Sequence, residues 1–159
     1  MALARVRHAC FALLFAWPAA PVSAGAETFL VIDQDDRRAH VASLSIRSAP
    51  DGARVLDLWG AAAQPGGDPP ATYLKFSYGF DCKGARVRAE EVVAYDAAFR
   101  PVFRNPSRSP WRALPGDRQM PLLFKLACAP PGDAPAAAVS APSAQAMLVE
   151  VRRRRGWSP

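Results

Sequence analysis

The chain has 159 residues, half of them apolar, with 20 basic and 14 acidic side chains and a formal charge of +6. After residue 24 no run reaches the roughly 18 apolar residues that a membrane-spanning helix needs. Four of the basic groups are consecutive near the end (Arg152, Arg153, Arg154, Arg155), so the body lacks the broad basic field that nucleic-acid binding requires.

Residues 1–24 read as a cleaved signal peptide. Arg5 and Arg7 form a basic end, Cys10 to Trp17 an apolar stretch, and Val22-Ser23-Ala24 a small-residue cleavage site. Cys10 follows Arg7-His8-Ala9 at the start of the apolar stretch, the wrong place for lipid attachment, so the chain is not expected to be a lipoprotein. The expected location is periplasmic, secreted or at the cell surface. Removal of the leader leaves 135 residues, enough for one core, and 18 basic against 14 acidic groups. Cys82 and Cys128 are then the only thiols and are expected to form a disulfide, which persists outside the cytoplasm.

Strand signals follow at regular spacing. An apolar run over 28–32 ends at Asp33-Gln34-Asp35-Asp36, and a second segment carrying Val41, Leu44 and Ile46 ends before Asp51-Gly52, a hairpin signal. Alternation over 55–59 runs into Gln64-Pro65-Gly66-Gly67-Asp68-Pro69-Pro70, read as a loop because such a run is expected to continue neither a ladder nor a helix. Residues 73–80 alternate, with Leu74, Phe76, Tyr78 and Phe80 expected on the core side and Tyr73, Lys75, Ser77 and Gly79 opposite. The next strand, 86–95, has a mixed pattern that leaves its inward face open. A turn over 96–100 returns the chain through Val102 and Phe103, giving a meander.

Leu114-Pro115-Gly116-Asp117 reads as a turn with Asp117 capping a short helix; Pro121 fits its first turn, and Leu122, Leu123 and Leu126 form an apolar stripe. Cys128 at its end can reach Cys82, closing a loop of about 47 residues worth on the order of 4 kcal/mol. Residues 130–142 are almost wholly Ala, Pro, Gly and Ser and read as a mobile linker. Beyond it, Ser143 can cap a helix with Ala144, Met147, Leu148 and Val151 on one side, its arginines at the carbonyl end and Gly156 as its stop. Met147, Val149 and Val151 also alternate, so a strand stays open.

The order Asp81-Cys82-Lys83, Tyr95-Asp96, Trp111, Pro115-Gly116-Asp117 and Leu126-Ala127-Cys128 resembles the surface-adhesin protein E family of small secreted bacterial domains, over residues 28–128. The resemblance implies an antiparallel sheet flanked by helix, a capacity to dimerise, and binding of host matrix or plasma proteins such as vitronectin, laminin and plasminogen, with no catalytic residues. The chain departs from that pattern by lacking a lipid-attachment cysteine and by adding the Pro/Ala run and the arginines.

No constellation of reactive residues stands out. His40 is the one histidine after cleavage and reads as a strand-edge residue; Asp33, Asp35 and Asp36 lack the glycine and later glutamate of a calcium loop. Glu90 and Glu91, adjacent on a strand, are expected on opposite faces. Trp59 and Trp111 read as sheet-covering aromatics. Arg152, Arg153, Arg154, Arg155 and Trp157 form the one candidate binding feature, suited to an anionic lipid or sulfated glycan.

The expectation is an α+β fold: an antiparallel, meander-like β-sheet with a short packed helix clasped by one disulfide over 25–129, a linker over 130–142, and a flexible basic tail over 143–159. Its expected function is non-catalytic binding of a matrix or envelope protein, with retention at an anionic envelope surface by the arginine tail as the alternative. No cofactor, metal or nucleic acid is expected.

Overall fold

The computed structural model describes residues 25–157 except 107, 131 and 134. The leader expected at 1–24 lies outside the described residues.

Eleven elements form one antiparallel sheet and two helices: β1 (Glu27–Gln34), β2 (Arg38–Ser43), β3 (Arg47–Ser48), β4 (Arg54–Gly66), β5 (Ala71–Asp81), β6 (Arg86–Tyr95), β7 (Pro101–Asn105), β8 (Arg112–Ala113), α1 (Gln119–Cys128), β9 (Val139–Ala141) and α2 (Ala144–Arg154). The strand order is β7-β6-β5-β4-β2-β1-β9, with β3 beside β4 and β8 beside β6. Among the described residues the sheet is open, with β7 and β9 at its edges. Cys82 is bonded to Cys128, tying the end of α1 to the turn after β5.

Asp51-Gly52 turns the chain between β3 and β4, where Gly52 N–H donates to Ala49 O at 2.9 Å. The stretch read as a loop at 64–70 is a correction. β4 continues through Pro65 to Gly66, which pairs with Ala71, and the turn is confined to 67–70. The ladder tolerates Pro65 because β4–β5 pairing breaks between Ala61 and Gly66, where no ladder N–H is required of it.

Both faces of the sheet are packed, so alternation does not separate core from solvent. Leu56, Leu58, Phe80 and Val87 meet Met120, Leu123, Leu126 and Ala127 of α1, with Phe76 and Tyr78 half-buried beside them. Val41, Ala61 and Tyr73 meet Met147, Leu148 and Val151 of α2 on the other face. The expected core side of β5 is therefore corrected: Tyr73 is buried, whereas Leu74 is 36% exposed because α1 does not reach it. Within α1, Leu122 is likewise exposed, and Met120 and Ala127 complete the buried stripe. Asp117 caps α1, accepting from the backbone N–H groups of Gln119 and Met120 at 2.9 and 2.7 Å.

The flexible tail is also a correction. Val139–Ala141 pairs with Glu27–Phe29 of β1, and α2 packs on the sheet. Small residues at Ala141 and Ala144 let the helix lie close, so a run poor in bulky groups still packs. Ser143 Oγ accepts from Ala146 N–H, which resolves the helix–strand ambiguity in favour of helix. At the far end Gly156 has φ 65°, and Gly156 and Trp157 donate to Arg153 and Arg152 carbonyls, a Schellman stop that brings Trp157 onto the core.

Two stability measurements follow. Leu148→Ala should lower unfolding free energy by about 2–5 kcal/mol in urea titration, where truncating a residue on a loose tail would leave the midpoint unchanged. Replacing Cys82 and Cys128 together by Ser should lower it by up to about 4 kcal/mol, read in the same titration, because the bond closes a 46-residue separation.

Candidate functional site

Two surfaces remain beyond the reach of the helices, one on each face. On the α2 face, the half of the sheet over β4, β5 and β6 carries a charged lattice. Asp57 accepts from Ser77 Oγ at 2.6 Å and from Arg47 at 2.8 Å; Glu91 pairs with Lys75 at 2.8 Å and with Arg104 at 2.7 Å. Arg88, only 5% exposed, lies between Glu90 and Asp51 at 2.6 Å each, with its guanidinium 4.2 Å from the Trp111 ring centroid. Arg108 adds a second 2.6 Å contact to Glu90.

This arrangement corrects the expectation for Glu90 and Glu91. The β5–β6 register shifts between Ser77 and Tyr78: Glu91 faces Ser77, Ala89 faces Tyr78, and Glu90 is the extra residue of a β-bulge. The bulge turns both carboxylates to the same face. Glu90 fits because Gly79 lies beneath it, where an added Cβ would stand 2.5 Å from Glu90 Oε1. The carboxylates are already engaged by cations. Lys75 and then Arg104 hold Glu91 below the ordinary carboxylate range, and Arg88 does the same for Asp51. Such groups fix a surface and are poor proton donors near neutral pH.

On the α1 face, beyond α1, lies a groove of about 830 Å³ between the β1–β2 and β4–β5 hairpin tips. Its floor follows the cross-strand rows. Arg38 faces Ala62, His40 faces Gly60, and Gly60 faces Leu74, so a trough of Gly60 and Ala62 separates His40 from Leu74. His40, expected as an edge residue, thus sits inside the sheet against this groove, its ring 3.2 Å from where a Cβ on Gly60 would be. Asp36 lines the rim, and Asp35 accepts from the Arg37 and Arg38 backbone N–H groups at 2.7 Å each. Among the described residues no group of three or more His, Cys, Asp and Glu could hold a metal.

The five residues of the expected arginine patch stand in different surroundings. Arg152 is 4% exposed, lies 5.8 Å from the Tyr73 ring centroid and donates to the Ala62 carbonyl, which the break in β4–β5 pairing leaves without a ladder partner on β5. Arg153 and Arg154 both bind Glu150, at 2.7 and 2.6 Å, and hold its carboxyl down to about 2. Arg155 closes the helix, and Trp157 packs on the core. Trp59 stacks with Phe99 on the α2 face and Trp111 covers Arg88, both as sheet-covering aromatics.

Sequence reading missed Arg37, Arg38, Gly60 and Leu74 as one surface, since only strand register brings them together. No family model, curated protein or solved structure matches the chain.

Asp35, Asp51, Asp81, Glu91, Asp96 and Glu150 all have lowered pKa values through backbone N–H donors or basic partners. Groups depressed on folding stabilise above their unfolded values, 3.8 for Asp and 4.5 for Glu, and that contribution is lost as pH falls through the folded values. The urea midpoint should therefore be level from about pH 7 to 5 and fall below about pH 4.5. Glu91→Gln should cost about 1–3 kcal/mol at neutral pH and flatten part of that acid decline.

Proposed function

We propose that this protein is an exported, non-catalytic binding module of the surface-adhesin protein E type that engages a matrix or envelope protein by strand addition at β7. The observation that carries this reading is the edge itself. β7 ends the strand order and, among the described residues, pairs only with β6, and Phe103 on it is 51% exposed. Phe103 faces Ala94, which faces Leu74, so the edge continues into an apolar row on the α1 face. An added strand would gain main-chain hydrogen bonds along β7 and an apolar anchor at Phe103. Pro101 and Arg104 blunt the edge against indiscriminate pairing. The Cys82–Cys128 bond supports an oxidising compartment, consistent with export through the 1–24 leader. A second copy of the chain could pair at the same edge.

The alternative, retention at an anionic surface by the arginines, is less favoured because Arg152 is buried and Glu150 engages its two neighbours.

Protease added to intact cells should degrade the protein while an internal periplasmic control survives; degradation only after permeabilisation would sink surface display. Phe103→Lys should weaken binding to immobilised laminin or vitronectin about tenfold or more without shifting the urea midpoint. Loss of binding accompanied by a change from dimer to monomer in sedimentation would assign the edge to self-association instead.

A further inference from the structure

The groove on the α1 face meets the apolar row from β7 at Leu74 but has its own chemistry at its other end. Its two ends differ. At the hairpin-tip end stand Arg37 and Arg38, both exposed, whose guanidinium groups make no ion pair among the described residues. Asp35 of the same turn accepts from their backbone N–H groups, which fixes the tip that presents them, and its charge also acts on Arg38. The lining at this end holds two arginines and one carboxylate, Asp36. Towards α1 the lining turns apolar, through Ala62 and Gly60 to Leu74 and Phe76. Phe76 already packs against the α1 core, so the apolar end is continuous with a rigid wall.

The floor is held from behind. Arg152 of α2 reaches the Ala62 carbonyl from the other face, at the point where β4 and β5 stop pairing. The floor of the trough at Ala62 is thereby tied to α2. The volume of this open groove, about 830 Å³, lies in the range that takes a small organic ligand.

We infer that this groove binds a free single-chain amphiphile with a carboxylate head, the head at Arg37 and Arg38 and the apolar tail lying over Gly60 between His40 and Leu74 towards Phe76. A guanidinium matches a carboxylate with two parallel hydrogen bonds, and a pair of them selects the anion over a cation of equal chain length. The tail removes the exposed surface of Leu74 from water.

Calorimetric titration of the full mature chain with dodecanoate, below its micelle concentration, tests this directly. Dodecyltrimethylammonium, with the same chain and the opposite charge, is the control. Saturable one-to-one binding of dodecanoate, about tenfold or more tighter than the cation, is expected, and Arg37→Glu with Arg38→Glu should remove that preference. Leu74→Asp should weaken dodecanoate by a similar factor, while Phe103→Lys should leave it unchanged, which separates this groove from the strand-adding edge. Equal affinity for the two amphiphiles on the unaltered protein, no saturable binding of dodecanoate, or a preference that survives the double charge reversal in a variant with an unchanged urea midpoint would each overturn the inference. The headgroup comparison needs no substitution, so a variant that fails to fold does not rescue it.

Discussion

One sheet serving two cores is the constraint on which the rest of the molecule depends. Along β4, Leu56 and Leu58 belong to the α1 cluster while Trp59 and Ala61 belong to the α2 cluster, so neighbouring residues are buried in opposite directions. A slip of one residue would exchange the two sets and mismatch both helices at once. The helices cover different halves of their faces. Each therefore leaves an uncovered half, and those halves hold the charged lattice on one side and the groove on the other. These two uncovered surfaces are consequences of how ten- and eleven-residue helices divide a sheet too wide for either.

The uncovered halves have solved their exposure differently. The lattice half replaces apolar cover with interleaved charges, and the bulge at Glu90 makes this possible by adding a second carboxylate to the same face as Glu91. Trp111 then shields Arg88 from water. The groove half keeps small residues and exposed Leu74 instead. Electrostatic self-satisfaction leaves little for a ligand to gain on the first surface. An apolar trough ending at guanidinium groups that make no ion pair among the described residues leaves more on the second.

Much of this was legible in the residues. The Asp51-Gly52 hairpin, the Asp117 cap, the Ser143 cap, the Gly156 stop and the cysteine pair each depend on local chemistry and appear in the structure as read. What could not be read was relational. Whether Leu74 or Tyr73 faces a core depends on where the helices end, and the shared face of Glu90 and Glu91 depends on a bulge without a signature in the strand. The run over 130–142 is poor in bulky groups, yet Val139–Ala141 is ordered by backbone hydrogen bonds to β1, which side-chain bulk does not report. The groove is hidden for the same reason: its lining comes from β2, β4 and β5, and adjacency across strands is a property of register.

The pairing of β1 with β9 also sets a timetable. A chain made from its amino end delivers β1 and β2 first, yet Phe29 and Val41 find their cover only when Met147, Leu148 and Val151 arrive. Until nearly the last turn of α2 has emerged, an apolar face and an unpaired strand edge stand open together, the condition in which nascent chains aggregate or recruit holdases. Folding of this half of the molecule is therefore tied to the arrival of α2, whereas the cluster clasped by the disulfide is complete in sequence at Cys128.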